Sequence, residues 1–442
     1  MKKLGRIGLW AVIALTVATA ASTVSALKPG LVPQEFDRVT RGRVKLMLEQ
    51  VRDEVRNNYY DSTFHGIDFD AHFKRASDRL DQATSLRQGL GIIAQALLDF
   101  NDSHLYFDPP SRTVSVRYGY EVRMVGDRCY VDAVHPKLDA HAKGLRAGDL
   151  VLSVQGFKPT RAELWKMNYF YYVLSPQPAH KLMVQSPGGQ PREVQIASEM
   201  TQQRRSINLS DTLDFDEFYR SLDSAGPDHR FQTVSDVTIW KMPAFDLSAD
   251  EVNDVMSKNV KGAALVLDLR GNGGGYVDTL EALVAHFFDH DIKIADMKGR
   301  KESKPAMAKK RSGAPFKGRL VVLVDSQSAS ASELFARVMQ IEHRGTVIGD
   351  RSAGAVMQSH YFSGMIGAES LVLFGASVTD ADAIMSDGGR LEGAGVVPDE
   401  LLLPQPEDLA AGRDPVLARA ITSLGGSMDA EKAGKLFPRI WK

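Results

Sequence analysis

Apolar residues recur at helical spacing through residues 35–100. Val44, Leu48, Val51 and Val55 mark one helix, and a second is predicted over 80–100 with Ile92, Ile93, Ala96 and Leu97 on its apolar side. Residues 57–73 between them read as a turn and a short helix. From about 117 to 200 the pattern changes to short alternating runs at 120–125, 129–134, 150–156, 180–187 and 192–197. Gly119, Gly126, Gly144, Gly148 and Gly156 punctuate these runs, which predicts a compact β-rich module. Residues 201–205 read as a polar linker. Strand and helix patterns then alternate: strands at 237–242, 263–270, 320–324, 346–350 and 368–378, helices at 248–258, 277–288 and 331–340. The run at 263–270 is almost wholly apolar, as in a sheet covered on both faces. The expectation is a multidomain α/β protein: a helical region over 27–108, the β-rich module over 117–200, a layered α/β core over 206–404, and an extension over 405–442 with one helix near 415–424.

The first residues change the picture of where the chain works. Lys2, Lys3 and Arg6 precede an apolar run over 8–20, and Val24-Ser25-Ala26 closes it with a small-x-small pattern. A signal peptide spanning 1–26 is expected, which implies a periplasmic or secreted protein. An uncleaved anchor is the competing reading, but the run is short for a spanning helix. No integral membrane span is expected in the mature chain. Of the 442 residues Cys129 is the sole cysteine, so no internal disulfide and no cysteine metal cluster is expected. The formal net charge is -1 with the signs interspersed, which offers no nucleic-acid footprint.

Candidate chemistry concentrates at residues 326–340, where serines at alternate positions lead from a strand into a helix. Such a corner exposes a side chain beside orphan backbone N–H groups and suits a covalent nucleophile. Ser328, Ser330 or Ser332 would equally serve as a helix cap. The glycines at 273, 274 and 275 follow a strand and suit an oxyanion, or simply a tight turn. They match neither a dinucleotide fingerprint nor a phosphate loop. A nucleophilic serine needs a base. His104 stands in a polar turn feeding a strand, while His343 and His360 are nearer Ser330 in sequence. Glu392 lies in a glycine-rich loop, where it either orients a base or is a solvated charge. No compact metal pattern appears, and no metal or organic cofactor is expected.

Residues 267–275, 322–340, 347–355 and 391–399, in that order, resemble the C-terminal processing (tail-specific) serine peptidases, including their tricorn-core-like branch. The resemblance implies a crotonase-like α/β core and a PDZ-like module at 117–200. Peptide binding in that module would fall on Gly119, Tyr120, Glu121 and Val122, by strand addition to a sheet edge. It implies Ser330 as nucleophile and an oxyanion hole from the N–H of Ala331 and of Gly273 or Gly274. The lysine of the family's Ser–Lys branch is replaced by Ala355, within Ser352-Ala353-Gly354-Ala355-Val356. The tricorn-like branch fits better, with His104 in Asp102-Ser103-His104 as base and Glu392 as its support. The expected partner is a peptide or unfolded protein, with no nucleic acid and no predicted oligomeric state. A catalytically inactive peptide-binding scaffold is the alternative that Ala355 keeps open, and another acyl-transfer or carboxyl-ester hydrolase is a third.

Overall fold

The computed structural model describes residues 36–110, 114–202, 228–301, 303–367 and 371–441. The expected signal peptide at 1–26 lies outside them, as do residues 203–205 of the expected linker. No helix among the described residues is long and apolar enough to cross a membrane.

Helix α1 (Arg38–Asn58) starts where the Asp37 carboxylate accepts the Thr40 N–H, and it buries Val44, Met47, Leu48, Val51 and Val55. The helix expected over 80–100 is in fact two elements. Helix α2 (Phe69–Asp81) ends first, and Ser85 caps a fresh start at α3 (Leu86–Leu98) by accepting the Gln88 N–H. A local side-chain cap thus overrode the continuous apolar pattern. The chain then turns through residues 99–105 into strand β1 (Tyr106–Asp108).

Strand β2 (Val114–Arg117) opens the β-rich part. A five-stranded antiparallel sheet follows in the order β3 (Tyr120–Val125), β4 (Arg128–Val134), β5 (Leu150–Val154), β6 (Ala179–Gln185) and β7 (Arg192–Ala197). Strand β3 is at its edge. Strand β8 (Glu199–Gln202) returns to pair with β2, so residues 201 and 202 of the expected linker are in a ladder. A helical stretch that the alternating pattern did not announce, Leu164–Asn168 continuing into Tyr169–Leu174, packs Leu164, Met167 and Tyr171 against the sheet.

The α/β core begins with β9 (Arg230–Val234) and β10 (Val237–Lys241), followed by α4 (Ala249–Lys258), β11 (Ala264–Asp268) and α5 (Val277–Ala285). Strands β12 (Ile292–Lys298) and β13 (Ala306–Ala308) come next, then β14 (Arg319–Val324), α6 (Ala331–Ile341) and β15 (Thr346–Gly349). Strands β16 (Met357–Ile366), β17 (Val372–Met385) and β18 (Glu400–Leu401) precede α7 (Pro415–Ser423). One sheet has the order β18-β15-β14-β11-β10-β9, parallel except for the β9–β10 pair. Alternate residues of its central strands feed two cores. Leu265, Leu267, Val322 and Val324 join the cluster under α4, α5 and α6, while Val266, Val321 and Leu323 meet Val416, Leu417 and Ile421 of α7. Burial on both faces explains the near-continuous apolar run.

The second sheet joins distant parts of the chain. Strand β17 pairs along one edge with β16, and its other edge is shared by β1 and β12. Its 14 residues extend well past the strand expected over 368–378, because Thr379, Asp380 and Asp382 break the apolar alternation that marks a strand in sequence. The face of this sheet carrying Phe374, Ala376 and Val378 packs against the cluster built by α1, α2 and α3. This docks the helical region onto the core and brings the turn before β1 to the serine corner.

Candidate active site

Four serines compete at the corner between β14 and α6, and their hydrogen bonds separate them. Ser328 is fully buried; its hydroxyl donates to Leu269 O at 2.8 Å and accepts the Asp325 N–H at 2.9 Å. Ser332 is also buried and donates to Asn272 O at 3.0 Å. Ser326 donates to Met124 O at 2.7 Å. The Ser330 hydroxyl donates to no acceptor among the described residues, and the residue is half-exposed. The Glu333 N–H, which faces that hydroxyl in a capping box, donates to the Ser330 carbonyl at 2.9 Å.

The backbone at Ser330 is strained, with φ 56° and ψ -119°. A non-glycine residue in this region costs about 1–3 kcal/mol and persists only when its surroundings hold it. Here the Ser330 N–H donates to Ala355 O at 2.8 Å and to Glu333 Oε2 at 3.1 Å. Glu333 is fully buried and also accepts from Ser352 Oγ, from Gly354 N at 2.8 Å and from Ala355 N at 2.9 Å. Burial pushes its carboxyl up to about 7 against the pull of these donors.

The glycine turn after β11 closes over the corner. The Asn272 carbonyl accepts the Ala329 N–H at 2.9 Å, and its side-chain Oδ1 accepts the Gly274 N–H at 2.8 Å. Gly274 has φ 103°, and a Cβ there would sit 2.6 Å from Ser330 Cβ and 3.1 Å from Ala331 N. Only glycine allows this approach. Of the expected oxyanion groups the Gly274 N–H is engaged, whereas the N–H of exposed Gly273 and that of Ala331, the first residue of α6, have no acceptor among the described residues.

The third part is the turn Asp102-Ser103-His104. Asp102 is buried and accepts the His104 N–H at 2.8 Å, the Thr379 hydroxyl at 2.8 Å and the Tyr59 hydroxyl at 3.1 Å. These bonds pin the turn to β17 and to the end of α1. Glu392 accepts the Ser103 N–H at 3.1 Å, the Ser103 hydroxyl at 2.9 Å and the Val356 N–H at 2.7 Å. Ser103 Oγ lies 2.8 Å from His104 Nδ1. With its proton committed to the Glu392 carboxylate, Ser103 Oγ accepts the His104 Nδ1–H, which leaves Nε2 unprotonated. Glu392 therefore reaches the histidine through Ser103, not by direct contact. Ser103 was missed in the sequence because a serine in a polar turn has no distinctive neighbours; its place beside His104 was the one available clue. Burial lowers the His104 pKa, opposed by the Asp102 charge, and raises that of Glu392.

A dipeptide joins the two halves of the site. Ala355 offers its carbonyl to the Ser330 N–H, and Val356 offers its N–H to Glu392. Ser330 and His104 are not hydrogen-bonded to each other. His343 ends the helix turn after α6, and exposed His360 pairs with Asp380, so neither takes part in this network. The residues named for peptide binding, Gly119, Tyr120, Glu121 and Val122, lie at the start of β3 and line a separate cleft.

Residues 236–402 match the family model described as peptidase family S41. The matched segment is less than half of the chain. It contains Ser330, Ala331, Gly273, Gly274 and Glu392, whereas Ser103 and His104 lie outside it. The chain is 33% identical over 136 residues to the tail-specific protease of Haemophilus influenzae, and 33% identical over 109 residues to the carboxy-terminal processing protease CtpB of Bacillus subtilis. It is 29% identical over 175 residues to the putative tricorn protease homolog 2 of Streptomyces coelicolor. These matches cover 29%, 24% and 39% of this chain, and the chain spans 19%, 22% and 14% of the relatives' lengths. Around the matched segment the chain shares the fold of mature CPAF, with a TM-score of 0.62 at 16% identity over 84% of this chain and 94% of the other. The photosystem II D1 C-terminal processing protease gives 0.51 at 19% identity over 88% and 98%.

Proposed function

We propose that the protein is a serine endopeptidase acting on exported or unfolded polypeptides, with Ser330 as nucleophile. The observation that carries this reading is that Ser330 alone in its serine cluster has a hydroxyl that donates to no acceptor among the described residues, at a strained corner held by Ala355. In the reaction, His104 Nε2 takes the Ser330 proton as Oγ attacks the peptide carbonyl. The oxyanion is met by the N–H groups of Ala331 and Gly273. His104 then protonates the leaving amine and takes a proton from the water that hydrolyses the acyl-enzyme. Ser103 and Glu392 hold the imidazole in the tautomer this requires. The β3 edge, with Gly119, Tyr120, Glu121 and Val122, would bind part of the polypeptide in the manner of a PDZ-like module. Export to the periplasm or beyond the cell follows from the expected signal peptide.

Labelling by a fluorophosphonate probe tests the catalytic reading. The native protein is expected to be labelled and the Ser330→Ala protein is not. Folded native protein that resists the probe would leave the second reading, an inactive peptide-binding scaffold, which Ala355 in the lysine position favours. Peptides with free and blocked C-termini then separate tail recognition from general proteolysis.

A further inference from the structure

Strand β3 is the edge of its sheet, and among the described residues it pairs with β4 alone. An open edge is a template for an added segment. A 1240 Å³ cleft runs between the start of β3 and the core residues Arg270, Gly271 and Asp325. Glu121 of β3 and Asp132 of β4 make one side of it acidic.

Residues 437–441 of this chain form one wall of that cleft and cover its acidic side. The guanidinium of Arg439 pairs with both Glu121 and Asp132. The Trp441 ring meets the His135 ring with centroids 5.0 Å apart. Behind them, Arg230 of β9 donates to Pro438 O at 2.8 Å and lies over the Phe437 ring at 5.3 Å. The stretch 437–441 is thus anchored to the core at one end and, at the other, paired with side chains of β3, β4 and His135. The Arg439 side chain is 39% accessible, its partner Glu121 53% and its partner Asp132 13%. The Glu121 pair, at this exposure, is a weak one.

We propose that residues 437–441 are an intramolecular ligand of the β3 cleft, a latch that an incoming polypeptide must displace. The same chemistry defines what displaces it: a segment with an arginine or lysine two positions ahead of an aromatic ring, as Arg439 precedes Trp441. The cation answers Glu121 and Asp132, and the ring answers His135. The inference rests on the peptide-binding reading of the β3 edge and is independent of the chemistry at Ser330. Asp132 is also 2.7 Å from Arg123, whose other contact is Asp325 at 3.4 Å. Asp325 in turn accepts the N–H of Gly271 and of Gln327, so the latch adjoins the residues that carry the serine corner.

The test measures binding of a fluorescent peptide, KLFPRIWK, to Ser330→Ala protein, in which cleavage is removed. The full chain, the chain ending at Leu436, and the full chain with Arg439→Ala are compared by anisotropy, with denaturant midpoints as a check on folding. The shortened chain is expected to bind the peptide about tenfold tighter than the full chain, because covering Glu121 and Asp132 reduces apparent affinity by the fraction of time they are left open. Arg439→Ala, which keeps the Phe437 anchor, should fall between them. A peptide with glutamate in place of its arginine should lose binding, as should the shortened chain carrying Glu121→Lys. Equal affinity for the full and shortened chains overturns the latch alone. Absence of binding to the shortened chain overturns both the latch and the peptide-binding reading, and leaves the assignment of Ser330 standing.

Discussion

The Ser103 hydroxyl donates to Glu392 Oε2 across 2.9 Å, although the two residues are 289 positions apart in the chain. This bond makes Ser103 the intermediary between a half-buried carboxylate and the His104 ring. Replacing Ser103 with alanine is expected to lower kcat by about 100-fold while KM changes little, because what is lost is the orientation of the base and not a substrate contact. Ser103→Thr, which keeps a hydroxyl, should recover much of the rate. If Ser103→Ala retains the native kcat, Glu392 does not support His104 by this route.

His104 must be neutral to accept the Ser330 proton. Burial lowers its pKa below the usual 6.5, and the Asp102 charge opposes that shift. The acid limb of kcat/KM is therefore expected below pH 6.5. Asp102→Asn removes the opposing charge and keeps the shape, so the limb should move to still lower pH. A limb that moves upward, or stays in place, contradicts the assignment of this titration to His104.

Glu333 carries a stability signature of the opposite kind. Its folded carboxyl is raised to about 7 from 4.5. Between those values the folded protein keeps a proton that the unfolded chain has lost, so stability falls as pH rises across this window and levels off above it. Glu333→Gln turns an amide NH₂ toward N–H groups that now donate to a carboxylate, and is expected to cost about 2 kcal/mol. It should also flatten the pH dependence between 4.5 and 7. Chemical denaturation at a series of pH values measures both effects, and an unchanged slope in the variant would exclude Glu333 as its source.

The glycine turn yields a paired comparison. An alanine Cβ at Gly274 would clash with Ser330 at 2.6 Å and force a side chain into φ 103°, whereas Gly273 has nothing within 4 Å of its Cβ position. Gly274→Ala is expected to destabilise by about 2 kcal/mol or more and to abolish probe labelling. Gly273→Ala should stay within about 0.5 kcal/mol of the native stability. Denaturant midpoints check the first contrast, and similar midpoints for the two variants would show that Gly274 does not abut Ser330 as described.

Local pattern carried much of this architecture. The apolar runs of β11 and β14 announced a sheet buried on both faces, since such strands have no solvent side on which to place polar residues. The helical face of α1 and the alternating runs of β3 to β7 were legible for the same reason: each repeat reflects one buried face. The serine corner and the glycine turn were also visible, because strained turns demand particular residues within a few positions. Ala355 at the lysine position needed no structure to be read.

What the tertiary structure decided lay in contacts between residues far apart in the chain. By pattern alone Ser328 and Ser332 matched Ser330, which only the family resemblance singled out, until Leu269 and Asn272 were found to accept their hydroxyls. The Gly274 N–H was as available as that of Gly273 until the Asn272 side chain engaged it. Strand β17 hid its length because Thr379 and Asp382 are polar, and their burial is set by α1, β1 and β12 rather than by their neighbours in sequence. The relay from Glu392 to His104 required the helical region to dock on that strand. Periodicity records which face of an element is buried; it holds no record of which distant polar group will complete a hydrogen bond there.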